Sequence, residues 1–167
     1  ERFIGCIADL ENEDIIVRAT ADNPLPDGNY VDILVENFLS SDLDYLGTDP
    51  PSDGLPYGLS AEVFSVGAFR EWAKSDVTAI DREHVTLGMR TSGQKVKLLM
   101  HGEIVPDDYS HARCTVDTLG DFLEMVMVLD LNTESVQTPW HVYLKRLPLG
   151  DPLSFKDIIL GTAQFGI

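Results

Sequence analysis

Positive charge is scarce in this chain. Of its 167 residues only 12 are Lys or Arg, against 28 Asp or Glu, for a formal net charge of −16. A surface so poor in cations cannot replace the counterions condensed on phosphates, which argues against nucleic-acid binding. Cysteine is scarcer still: Cys6 and Cys114 stand far apart and form no Cys-x-x-Cys. A disulfide scaffold needs more of them, and a zinc site needs closer partners. Both read as buried free thiols, which suits a reducing cytoplasm. Long apolar runs are also missing, and none approaches the ~18 residues of a membrane span. What remains is 44% hydrophobic and 24% charged, the balance of a globular protein rather than a disordered one, at a length that suits one domain with a real core. The acid is mostly Asp, 18 of the 28. The chain opens on Glu1 rather than Met, and is read as processed, trimmed or a fragment.

Along the chain, Asp14 to Thr20 is a β-branched run that reads as a buried strand. It ends in Ala21-Asp22-Asn23-Pro24-Leu25-Pro26-Asp27-Gly28, through which no strand continues. Tyr30, Val31, Ile33, Leu34, Val35, Phe38 and Leu39 then recur at helical spacing. Strand, polar loop and helix make the repeating unit of an α/β fold. Further strands are predicted over Leu43 to Thr48, Ser60 to Phe64, Val96 to Met100 and Arg113 to Val116. Helices are predicted from about Val66 to Ser75, from Thr78 or Asp81 through Val85, Leu87 and Met89, and from Thr118 through Leu129. Thr118 with Asp121 three residues on has the form of a capping box. Another helix is expected over Ser135 to Leu147, and a strand over Ile158-Ile159-Leu160.

Ligands in open α/β sheets bind beyond the carboxyl ends of strands. Asp22 and Asp117 both stand there, each between a predicted strand and a predicted helix. Two carboxylates at one sheet edge can hold Mg²⁺, which takes one or two of them with phosphate oxygens and water. Both residues also fit simple loop or capping roles, and spacing leaves the choice open, although Asn23-Pro24 makes a cap at Asp22 less suitable. Glu83-His84, at a predicted helix start, can grip a hydroxyl or carboxylate, or can be a solvated face. Other patterns fail. His101-Gly102-Glu103 lacks the Pro-Cys-x-x-Cys of zinc deaminases. Gly58 to Glu62 misses the last glycine of a nucleophile elbow. Gly161 to Gly166 has no Lys-Ser/Thr after it. Ser60, His84 and Asp117 as a triad is only a list of residue types.

Four strings occur in order: Arg18-Ala19-Thr20-Ala21-Asp22-Asn23-Pro24-Leu25, Gly58-Leu59-Ser60-Ala61-Glu62-Val63-Phe64, Arg82-Glu83-His84-Val85-Thr86, and Arg113-Cys114-Thr115-Val116-Asp117-Thr118 with Asp121. Together, over roughly residues 1 to 130, they resemble the sugar-acid cytidylyltransferases, specifically the spore-coat polysaccharide biosynthesis branch. The resemblance implies a Rossmann-like nucleotidyltransferase: a mixed sheet with helices on both faces. It implies transfer of CMP from CTP to a sugar acid with release of pyrophosphate, in the cytoplasm. By that likeness Asp22 and Asp117 are the metal-binding, catalytic pair for Mg²⁺. Arg18, Asn23, Glu62, Glu83 and His84 fall on the substrate side.

The family's opening strand and phosphate loop, Ala-Arg-x-x-Ser-x-Arg-Leu-Pro-Gly-Lys, is absent from this sequence. The expectation is therefore that residues 1–150 form the carboxyl-terminal portion of such a domain, that this chain alone is inactive, and that an uncovered sheet edge favours a homodimer. Ile158 to Gly166 resembles the first strand of an aldo/keto reductase barrel, which makes residues 151–167 a linker and the start of a second domain. A non-catalytic binding or assembly module, or a piece of a bifunctional cytidylyltransferase–reductase, are the alternatives.

Overall fold

A computed structural model describes residues 2–145, apart from 26, 50–51, 76–77, 92–94, 104–105 and 130–138. The segment 151–167 and most of the helix expected over 135–147 lie outside the described residues. The sheet contains β1 (Ile15–Arg18), β2 (Tyr45–Thr48), β3 (Glu62–Ser65) and β4 (Val96–Leu99), in spatial order β1-β3-β2-β4. β3 runs antiparallel to both of its neighbours, while β2 and β4 are parallel. The sheet is mixed, as expected.

Successive residues of a strand point to opposite faces, so a strand buried on both sides is apolar throughout. Here Leu46 and Val63 face one cluster, and Tyr45 and Phe64 face the other. On the first face lie Tyr30, Leu34 and Phe38 of α2 (Gly28–Leu39), Met125 and Val128 of α6 (Leu119–Val128), and Trp140 and Tyr143 of α7 (Trp140–Leu144). On the second lie Phe3 of α1 (Arg2–Cys6), Phe69 of α3 (Val66–Ala73), and Met89 of α5 (Leu87–Thr91). Helices thus cover both faces.

Helix starts are chemically marked. Asp27 caps α2 by accepting from Tyr30 N at 3.1 Å, and its other oxygen accepts from Trp140 N at 3.1 Å. One buried carboxylate therefore joins α2 to α7. Thr118 and Asp121 form the predicted capping box at α6.

Three expectations are corrected. The single helix expected from Thr78 through Met89 is two, α4 (Ala79–His84) and α5. Between them Val85 has φ 61° and ψ −54°, and Thr86 N donates to His84 O at 2.6 Å. This is a γ-turn of the rarer, strained hand, costly for a β-branched residue. His84 accordingly ends a helix rather than starting one. Arg113 to Val116 forms no strand; Arg113 makes one isolated bridge to Tyr57. The reason is a change of partner, since Cys114 N donates to Tyr57 O (2.6 Å) but Val116 N donates to Asp22 O (2.8 Å). Cys6 is exposed while Cys114 is buried, because one turn of α1 buries only the side carrying Phe3.

Candidate functional site

A cavity of about 410 Å³ opens beyond the carboxyl ends of β1 and β2. Six of the seven expected site residues line it: Arg18, Asp22, Asn23, Glu62, His84 and Asp117. Glu83 does not; it is exposed on α4, outside the lining.

The two aspartates meet through their backbones. Thr20 and Asn23 fold the loop after β1 into a turn, with Asn23 N donating to Thr20 O (3.2 Å) and Asn23 Nδ2 to Thr20 Oγ1 (2.8 Å). Against that turn, Val116 N donates to Asp22 O, which sets Asp117 beside Asp22 across 95 residues of sequence. The approach requires Gly58. Its φ is +97°, and a Cβ there would lie 2.5 Å from Thr115 N. Neither aspartate caps a helix, because the caps are Asp27 and Thr118.

Asp117 is held by Arg113, whose guanidinium also reaches Asp121 Oδ1 at 3.3 Å and lies 4.9 Å over the Tyr57 ring. Asp121 is the anchor of this corner. Burial works to raise its carboxyl, but donors from Thr118 and Asp117 and the Arg113 charge outweigh it and hold the carboxyl low. Among the described residues no group of three or more His, Cys, Asp or Glu side chains gathers as a metal cage. The donor set is thus two carboxylates opening on a cavity. A hard dication that completes its shell with phosphate oxygens and water fits such a pair.

A second part of the cavity lining is built on Glu62. Register places it directly across from Arg18, whose Nη1 donates at 2.6 Å. Tyr45 Oη donates to the same carboxylate at 2.7 Å and Thr86 Oγ1 at 2.8 and 2.9 Å. Glu62 is therefore saturated, and its work is to orient Arg18 and Thr86. Burial and the Glu62 charge push the Tyr45 phenol well above its ordinary range, so it stays a donor. The strained turn at Val85 now has a purpose, since it delivers Thr86 to Glu62 and His84 to the cavity wall.

Sequence reading missed Asp49, Arg90, Thr86 and Tyr57, which also line the cavity. Arg90 Nη2 donates to Thr48 O at 3.3 Å and to Asp49 Oδ1 at 3.2 Å. No local pattern signals this pair, because it joins the end of β2 to α5. Behind it, three buried atoms lack a hydrogen-bond partner among the described residues: Tyr30 Oη, Thr48 Oγ1 and Asp53 Oδ2. Burial raises the Tyr30 phenol to about 12 and pushes the Asp53 carboxyl up.

The chain is 34% identical over 124 residues to an uncharacterised protein of Methanocaldococcus jannaschii, a match covering 71% of this chain and 48% of that protein. Its fold matches a cytidylyltransferase from Leptospira borgpetersenii serovar Hardjo-bovis with a TM-score of 0.71 and 23% identity, over 86% of this chain and 59% of that one. The chain thus spans about half the length of the curated relative. At this identity the structural likeness is one of fold. No protein-family model matches.

Proposed function

We propose that this chain carries the metal and sugar side of a cytidylyltransferase that transfers CMP from CTP to a sugar acid, releasing pyrophosphate, for surface or spore-coat polysaccharide synthesis. The observation that carries this reading is the pairing of Asp22 with Asp117 at one cavity through the Val116–Asp22 backbone bond. The nucleotidyltransferase-like fold supports it. Attack on an α-phosphate needs charge neutralised and the nucleophile held in line. Mg²⁺, held by Asp22 and Asp117, would supply the neutralisation, which matters on a protein of charge −16.

Geometry supports the remaining roles. Asn23 fixes the turn that presents Asp22. Glu62 orients Arg18 and Thr86, both of which line the cavity. His84 lines the cavity, which supports a role in binding or orienting a sugar hydroxyl. Glu83 is left out of this assignment because it does not line the cavity.

The test is pyrophosphate release from CTP, Mg²⁺ and a sugar acid by the polypeptide as its gene encodes it. Asp117→Asn is expected to abolish turnover. Folding should be spared, because the Arg113–Asp117 pair is half-exposed and worth at most about 1 kcal/mol. Wild-type turnover in that variant refutes the metal role.

A further inference from the structure

We infer that Arg90 is the specificity-determining residue of the cavity, the guanidinium that takes the carboxylate of the acidic sugar, with Asp49 as the counter-ion it leaves behind. The inference rests on the cytidylyltransferase reading for its substrate class, and on the geometry of two arginine pairs for its residue.

Two arginines line the cavity, and they are not equivalent. Arg18 is committed. Its 2.6 Å bond to Glu62 joins side chains only 21% and 13% exposed, and Glu62 holds two further hydroxyl donors. Pulling Arg18 away would leave a desolvated carboxylate without its cation, which is strongly unfavourable. It can add a neutral hydrogen bond to a ligand, but its charge is spent.

Arg90 is loosely held. Both of its bonds come from Nη2 and are long, 3.2 Å to Asp49 and 3.3 Å to Thr48 O. Among the described residues its Nη1 and Nε have no hydrogen-bond partner, which leaves three N–H donors for a planar anion. Its counter-ion is 47% exposed, so water replaces Arg90 there at little cost. A carboxylate seated in the cavity therefore gains Arg90 at low cost and Arg18 only at high cost. The same electrostatics exclude a neutral sugar from this gain, since it offers no charge to compensate Arg90. His84, exposed at the end of α4, also lines the cavity and adds a polar group for the sugar ring.

The experiment is equilibrium binding of glucuronate, glucose and pyrophosphate, by calorimetry, to the polypeptide as its gene encodes it. Three proteins are compared: the parent, Arg90→Gln and Asp49→Asn. The expected result is glucuronate binding weakened roughly 10- to 100-fold in Arg90→Gln and strengthened in Asp49→Asn, with glucose unaffected by either change. Opposite signs in the two variants cannot come from lost folding. Glucuronate binding equal in parent and Arg90→Gln overturns the assignment while leaving the cytidylyltransferase reading intact. So does a loss confined to pyrophosphate, which would give Arg90 to the leaving group. Failure of the parent to prefer glucuronate over glucose overturns the inference and the sugar-acid substrate together.

Discussion

Replacing Asp53 by Asn should stabilise the protein at neutral pH, although it alters a buried residue beside the cavity. Asp53 is 0% exposed. Its Oδ1 accepts from Leu55 N at 2.8 Å, closing a turn over 53–55, while Oδ2 has the Thr48 hydroxyl nearby but makes no full hydrogen bond. Nearby, Tyr30 Oη and Thr48 Oγ1 are also buried without one. Asn keeps the acceptor for Leu55 and converts the unsatisfied oxygen into a donor for those hydroxyls. Leaving one such buried group unsatisfied costs about 1–3 kcal/mol, and that is the expected gain. For a domain of this size it corresponds to roughly 2–4 °C in Tm per kcal/mol.

The pH dependence identifies the cause. Burial, helped by the nearby Asp49 charge, raises Asp53 above its ordinary value of 3.8. Between those values the folded protein binds a proton that the unfolded chain releases. Stability from Asp53 is therefore complete below about pH 3.8 and is lost as pH rises through the higher folded value. Urea denaturation from pH 4 to 8 should show Asp53→Asn gaining over the parent as pH rises. A variant less stable at pH 7.5, or a gain that is the same at every pH, refutes the reasoning.

The other predictions concern the cavity wall and the thiols. Glu62→Ala strips Arg18, Tyr45 and Thr86 of their common acceptor, and chemical denaturation should record a loss of about 3 kcal/mol, near the lower end for a broken buried pair because Arg18 is partly exposed. Recovery of most of that stability by Glu62→Gln would show that hydrogen bonding, rather than charge, dominates. A thiol-reactive dye should titrate one group, Cys6, in the native protein. Cys114 is buried, and burial raises its thiol to about 12, so it should react only on unfolding. Two fast-reacting thiols in native buffer would contradict the described packing.

The local parts of the molecule were legible because their causes are local. The helical spacing from Tyr30 to Leu39 appears as α2, and Thr118 with Asp121 does form the capping box of α6. Such signals need only neighbours within one turn. The helix expected from Thr78 to Met89 was misread for the opposite reason. Its break at Val85 is held by Thr86 reaching Glu62, 24 residues back, and propensity carries no record of that bond. Arg113 to Val116 has strand composition, yet its backbone divides its donors between two loops and forms no ladder.

By itself, then, the sequence determined the class of the fold, its alternating strand and helix units, and the two aspartates lying after strand-like or bridging segments. Tertiary structure alone decided that Asp22 and Asp117 adjoin, that Glu62 is saturated and Arg90 loosely held, and that Glu83 lies outside the cavity. These are properties of groups brought together from distant positions. Their hydration, pairing and charge depend on which side chains meet, and that is settled only when the sheet and its loops pack.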